Sequence, residues 1–339
     1  MIDDLSNLSR REFWQCVRRR YVIGDIGDVR EPVNFARSLH DSPLPFVFHH
    51  DLPGRHAPSY SLADPPLHHH LAMLGLSAMG DDIRSITALY WFEVLLVYLL
   101  TVWLSCAGAR WANVGAVACV PMMWTLTTFI RPGLESNTPH LTFCLVFLAG
   151  VALLRARSPG HFLLAGTLAM MTKPHGLAMA LFVLFSMGTF FRRRRKEAVV
   201  LGASCIGVQL LLMGAVCLID RFWGPIMHKD VIGFRAGTLG RVLLHGQWRW
   251  ARYLLRNAAD YGVLLVAASC FAPLFCWRGR DRWGRVFLLT AGIAFVMIAT
   301  MNYVRAHYVG TVSNLLLAAA VRTLASSPTS RRRWGLYFV

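Results

Sequence analysis

From residue 85 almost to its end, the chain is a succession of apolar stretches of membrane-spanning or near-spanning length. Nothing else in the sequence constrains the fold as strongly. The stretches cover about 85–107, 112–130, 138–154, 161–174, 176–191, 198–220, 261–277, 286–302 and 309–325. A perpendicular helix needs about 20 mostly apolar residues to cross a hydrocarbon core ~30 Å thick. In that core only helices and closed barrels satisfy their own backbone. Composition agrees: 55% of the 339 residues are hydrophobic and only 16% charged, with a mean hydropathy of +0.44, where a soluble domain carries roughly 25% charged residues. Soluble globular, disordered, collagen-like and coiled-coil classes are excluded. The sequence predicts an all-α polytopic membrane protein of about nine transmembrane or re-entrant helices.

The formal net charge is +17, and almost all of the basic residues are arginine; lysine occurs only at 173, 196 and 229. A basic balance can serve nucleic acid, anionic lipid or an acidic substrate. Here the basic residues punctuate apolar segments instead of forming one exposed face, so no nucleic-acid partner is expected; the lipid bilayer is. Seven of the eight cysteines (106, 119, 144, 205, 217, 270, 276) lie in or beside apolar runs, and none forms a C-x-x-C pair. They read as small apolar fillers, and neither a disulfide framework nor a zinc site is indicated.

Three regions follow. Residues 1–84 hold eleven of the 18 acidic residues and seven of the 15 prolines, and read as an outer-face loop and juxtamembrane segment. Residues 85–325 form the transmembrane helical domain, and 326–339 a basic cytoplasmic tail. Arg110, Arg155 with Arg157, the run Arg192–Lys196, the cluster Arg278–Arg285 and Arg331–Arg333 fall in alternate loops. Placing those loops in the cytoplasm satisfies the positive-inside rule and puts residues 1–84 and the loops 131–137 and 221–258 outside. A polar 84-residue segment needs something to lead it across. The expectation is that the start of the gene lies upstream and supplies a first helix, with a reverse-anchored first span as the alternative.

Charges inside spans are costly and ask for an explanation. Glu93 in the first span either faces a polar cavity or pairs with a basic group on a neighbouring helix, the latter preferred. Lys173, in Met171-Thr172-Lys173-Pro174-His175, sits where proline breaks a helix. The segments around it read either as two short crossings or as one re-entrant element. Broken backbone at membrane depth is tolerated where it lines a cavity, and an ammonium there suits a phosphate as well as it suits snorkelling to the interface. Arg131 and Glu135 close one span, and Arg305 and Tyr308 precede the last. Each arginine can grip a phosphate bidentately, although as bare features the interfacial anchor is the preferred reading. The polar N-terminal region offers Asp25 and Asp28 in Gly24-Asp25-Ile26-Gly27-Asp28, and Asp64 before Pro65-Pro66-Leu67-His68-His69-His70. Lone aspartates are ordinarily caps or turns. Three adjacent histidines do not share a helix face, which argues against a metal site.

In order and spacing these pieces resemble the membrane-embedded glycosyltransferases of the C-type fold. The likeness is to the branch containing protein O-mannosyltransferases, the lipid A aminoarabinose transferase and bacterial dolichyl-phosphate-mannose-type enzymes. Gly27-Asp28 followed by Ala36-Arg37 matches the family's first outer loop. Pro65-Pro66-Leu67, then Gly80-Asp81 and Arg84, match its amphipathic stretch. Leu164-Ala165-Gly166 with Thr172-Lys173 and the closing Arg305 and Tyr308 match its later motifs. The resemblance covers about residues 22–325. The sequence departs from the family in lacking a first transmembrane helix, in carrying Val29 where a second acidic residue is usual, and in lacking a soluble C-terminal domain.

The resemblance implies an inverting, metal-independent transfer of a sugar from a polyprenyl-phosphate donor to an acceptor hydroxyl on a glycan, lipid or protein. The active site is expected on the outer face of a bacterial inner membrane. Asp28 would be the general base, with Asp25 as fallback and Asp64 holding the sugar or assisting. Lys173, Arg131, Arg305 and Tyr308 would bind the donor phosphate, and Glu135, His68 and Arg84 would line the cavity. No cofactor is implied, since the lipid-linked sugar is a substrate; a divalent metal is the weaker alternative. The competing functions are a transporter or flippase of a lipid-linked or anionic substrate, and an inactive truncated fragment.

Overall fold

The computed structural model describes residues 67, 71, 74, 83–109, 138–173, 175–223, 281–299 and 306–326. All of its regular structure among these is helical: α1 Ile83–Cys106, α2 Thr138–Arg155, α3 Pro159–Met170, α4 Gly176–Phe190, α5 Arg195–Trp223, α6 Arg282–Ala299 and α7 Ala306–Ser326, with a 3-10 turn Arg192–Arg194 before α5. Seven of the expected spans coincide with these helices; those at 112–130 and 261–277 lie outside the described residues. Two boundaries move for local reasons. α3 starts on Pro159, whose missing N–H costs nothing in a first turn, and stops at Met170, before the residue that precedes Pro174 and so avoids helical geometry. α5 begins inside the basic run because Arg194 grips Glu197, donating to both carboxylate oxygens at 2.7 and 2.6 Å.

The helices close into a ring. α1 packs on α2 and α7, α2 on α3, α3 on α4, α4 on α6 and α6 on α7, while α5 lies outside against α3 and α4. Val94, Phe143, Leu148, Phe162, Met187, Phe287 and Leu315 are buried in the shared core. Small residues set the closest approaches. A Cβ on Gly150 of α2 would stand 3.1 Å from the Ala165 Cβ of α3, so the Leu164-Ala165-Gly166 motif packs helices together. α5 turns large apolar side chains outward, Val199 at 71% and Leu211 at 75% exposure, and only 22% of its most apolar window is buried. At 29 residues and with an apolar exterior, α5 is long and apolar enough to cross a membrane.

One end of the bundle is held by arginine. Arg155, at the end of α2, donates to the carbonyls of Leu104 and Ala107 at the end of α1 and lies over the Trp103 ring. Arg322 of α7, 6% exposed, donates to Ala107 at 2.6 Å and to Asp281 at 2.8 Å. Arg194 donates to the Leu154 carbonyl at 3.2 Å. Carbonyls that end a helix lack intrahelical donors and carry partial negative charge, and these guanidinium groups satisfy them. Glu197, outside the apolar part of α5, has its carboxyl held below the usual range by the hydrogen bonds from Arg194, with the nearby Arg157 charge adding to the effect.

Candidate functional site

The opposite end holds the site. α2 ends, α3 begins, α4 ends and α5 begins at the arginine end, so α3 and α4 run antiparallel as a helical hairpin joined by a turn at the far side. With 12 and 15 residues they are about 18 and 22 Å long, against about 36 Å for α1. Their turn therefore stops short of the bundle's outer end. His175 of the turn meets Phe143 of α2 edge-on, ring centroids 4.6 Å apart, five residues inside the start of α2 at Thr138.

Lys173 lies in this turn and is 4% exposed; Thr172 beside it is fully buried. The backbone around them is tightly bonded. Thr172 and Lys173 N–H both donate to the Ala169 carbonyl, at 3.1 and 3.0 Å, and Gly176 N–H to the Lys173 carbonyl at 2.9 Å. The Thr172 hydroxyl donates back to Leu168 at 2.8 Å. Position 176 must be glycine, because a Cβ there would fall 2.6–2.7 Å from backbone atoms of Ala169 and Met170. The start of α4 is thus pressed directly on the end of α3, and the ammonium-bearing residue is fixed between them.

The Met171 carbonyl of the same turn accepts a hydrogen bond from the Leu67 N–H at 3.1 Å. Residues 67, 71 and 74 are helical, and their i, i+4, i+7 spacing puts Leu67, Leu71 and Leu74 on one face. Leu67, which ends the Pro-Pro-Leu motif, therefore touches Met171, the residue before Thr172-Lys173, across 104 positions. Arg84 and Tyr308 lie in the first turns of α1 and α7, at this same end. Asp25, Asp28, Asp64, His68, Arg131, Glu135 and Arg305 lie outside the described residues.

On the other side of α2 from the turn, a buried polar seam joins three helices. The Thr142 hydroxyl donates to Glu93 of α1 at 2.7 Å, and Cys144 Sγ meets Thr311 Oγ1 of α7 at 2.6 Å. Glu93 is 4% exposed and Asn314 3%. This corrects the expected basic partner of Glu93: among the described residues its partner is a hydroxyl. A threonine 49 positions away in an apolar helix gives no sequence signal that it is a partner. Arg322 with Asp281 is equally silent in the sequence. Among the described residues no three His, Cys, Asp or Glu side chains gather into a group able to hold a metal.

No family model and no curated protein sequence matches the chain. Two crystal structures of ArnT from Cupriavidus metallidurans do match its fold. The apo state superposes with a TM-score of 0.64 at 16% identity, and the state bound to undecaprenyl phosphate with 0.65 at 15%. This chain has the fold of ArnT. Each match covers 93% of this chain, which spans 57% and 58% of those two chains. The C-type glycosyltransferase-like architecture expected from the motifs is therefore the observed one, and the chain is an integral membrane protein by composition, exposed apolar surface and fold. At this identity the likeness to ArnT concerns the fold alone.

Proposed function

We propose that the protein is an integral membrane glycosyltransferase that moves a sugar from a polyprenyl-phosphate donor to an acceptor hydroxyl on the outer face of a bacterial inner membrane. The observation that carries this reading is the bond from Leu67 to Met171. It seats the Pro-Pro-Leu segment on a buried, lysine-bearing helix break, in a fold shared with a protein crystallised with undecaprenyl phosphate.

In this reading Asp28 accepts the proton of the acceptor hydroxyl. The oxygen attacks the anomeric carbon opposite the phosphate, the bond from that carbon to the phosphate oxygen breaks, and the configuration inverts. The departing polyprenyl phosphate gains negative charge as the bond breaks. Lys173 stabilises it from the turn, with Arg131, Arg305 and Tyr308, in a site where preorganised positive groups act strongly. The same groups supply the charge a metal would bring, so the scheme needs none. Asp64, Glu135, His68 and Arg84 belong to the sugar and acceptor side, with Asp25 the base if Asp28 is not.

The test is transfer from a radiolabelled undecaprenyl-phosphate sugar by the purified full chain in proteoliposomes. Asp28→Asn should lower the rate about 10²–10⁴-fold while leaving insertion and donor binding intact. Survival of transfer in that variant, with loss on changing Asp25 or Asp64, reassigns the base. Substrate crossing the bilayer with no transfer by the unaltered chain replaces the transferase by a transporter. Labelling of Cys16 by a membrane-impermeant maleimide in intact spheroplasts would put the N-terminal aspartates on the outer face; labelling only after permeabilisation would overturn that placement.

A further inference from the structure

The transfer scheme makes no use of a strongly charged surface among the described residues. Four cations of the run before and within the first turn of α5, Arg192, Arg193, Arg195 and Lys196, are exposed. The fifth, Arg194, is turned inward onto Glu197 and the Leu154 carbonyl. Two more exposed arginines converge on the same spot from other elements. Arg157, in the turn between α2 and α3 with a φ of 63°, is close enough to act on Glu197. Arg282, at the start of α6, lies over the Phe191 ring with its guanidinium carbon 6.0 Å from the centroid. Among the described residues the two carboxylates nearby are engaged, Glu197 by Arg194 and Asp281 by Arg322. The patch therefore keeps a large uncompensated positive charge.

Directly below it the surface changes character. Starting one turn into α5, Val199, Val200, Ile206, Leu210 and Leu211 are exposed, at steps that keep them on one side of the helix. With Met213 and Leu218 also exposed, the face continues for about 28 Å from Val199, close to the full depth of a ~30 Å hydrocarbon core. A cationic cluster directly above an apolar, lipid-deep helix face has the charge and polarity of one ligand class. We propose that this face binds an anionic phospholipid, its phosphate diester headgroup among Arg157, Arg192, Arg193, Arg195 and Arg282 and its acyl chains along α5. The site is at the arginine end, remote from Lys173, and does not depend on the transferase reading.

The experiment uses the full chain reconstituted in phosphatidylcholine nanodiscs doped with phosphatidylglycerol, and reads retained lipid by native mass spectrometry after detergent transfer. The unaltered protein should retain phosphatidylglycerol over phosphatidylcholine by about tenfold or more, and Arg192→Gln with Arg193→Gln, Arg195→Gln and Lys196→Gln should remove most of that preference. The pair Arg192→Gln with Arg193→Gln serves if the fourfold variant does not insert, and should lower the preference severalfold. Arg331→Gln with Arg332→Gln and Arg333→Gln removes three cations elsewhere and should leave it unchanged. Equal retention in the run variants and the unaltered chain would overturn the proposal. So would equal loss in the tail variant, which would mean net charge alone is at work, or displacement of the lipid by soluble glycerol phosphate, which would mean a free-phosphate site.

Discussion

The two ends of this helical bundle use positive charge in opposite ways. At one end Arg155, Arg194 and Arg322 are tied to the carbonyls of Leu104, Ala107 and Leu154 and to Glu197 and Asp281. Their charge closes the carbonyl ends of helices. At the other end Lys173 is held inside the bundle by a turn whose backbone is bonded to α3, α4 and the Leu67 segment. The three tied arginines at the first end therefore read as architecture, and the buried lysine at the second reads as chemistry. The distinction predicts that arginine-end substitutions cost stability, whereas a substitution at Lys173 costs binding.

Gly176 should give the largest effect, because it serves both purposes. Gly176→Ala drives a methyl into the Ala169 carbonyl, which is backbone and cannot swing aside. Overpacking of this kind costs about 3 kcal/mol or more, so the thermal midpoint in detergent should fall and undecaprenyl-phosphate binding should fall with it. Binding unchanged in a folded variant would show that the α3–α4 turn does not set the site.

Arg322→Gln comes next and tests the arginine end. It leaves Asp281 without its guanidinium, while the Ala107 carbonyl keeps Arg155. Because Asp281 keeps the Gly284 N–H at 2.7 Å and retains 14% side-chain exposure, the loss should stay below the full penalty of an isolated buried charge, at about 3 kcal/mol. The same variant should bind the lipid phosphate normally once folded. A parallel loss of binding would erase the contrast between the two ends.

Lys173→Met should do the reverse. It keeps most of the side chain's length and removes the charge, so the midpoint should fall less than in Arg322→Gln, while binding of undecaprenyl phosphate weakens about tenfold to a hundredfold, the worth of a hydrogen bond to a charged group. Lys173→Arg should recover part of the binding. A large drop in stability with no change in binding would make Lys173 a structural cation.

How far the sequence reveals these features depends on whether the physics is local. Apolar runs, proline and the interruption at Lys173 are local; they locate the helices to within a few residues and single out the lysine. The ties between distant segments are not local. Leu67 reaches Met171, Thr142 reaches Glu93 and Arg322 reaches Asp281 across 104, 49 and 41 positions. Each uses a backbone amide or a common side chain with no periodicity to betray it. The Pro-Pro-Leu and Thr-Lys motifs can be recognised separately; that Leu67 meets Met171 is a property of how short α3 and α4 are.

The smallest expected effect concerns pH at the arginine end. Glu197 has its folded pKa below the ordinary glutamate value because Arg194 hydrogen-bonds its ionised form. A depressed carboxylate stabilises the fold above its unfolded pKa and loses that contribution as pH falls through the folded one. The carboxylate is 30% exposed in the pair, and partly exposed ion pairs are worth only about 0.2–1 kcal/mol. The unaltered chain should therefore lose slightly more thermal stability than Glu197→Gln between neutral and mildly acidic pH, and the two should converge once the carboxyl is protonated. Arg194 also holds the Leu154 carbonyl, so Arg194→Gln should cost more than Glu197→Gln and retain its excess cost in acid. Equal costs at both pH values would mean the carbonyl contact contributes nothing, and the view that these arginines act on helix ends would fail at this position.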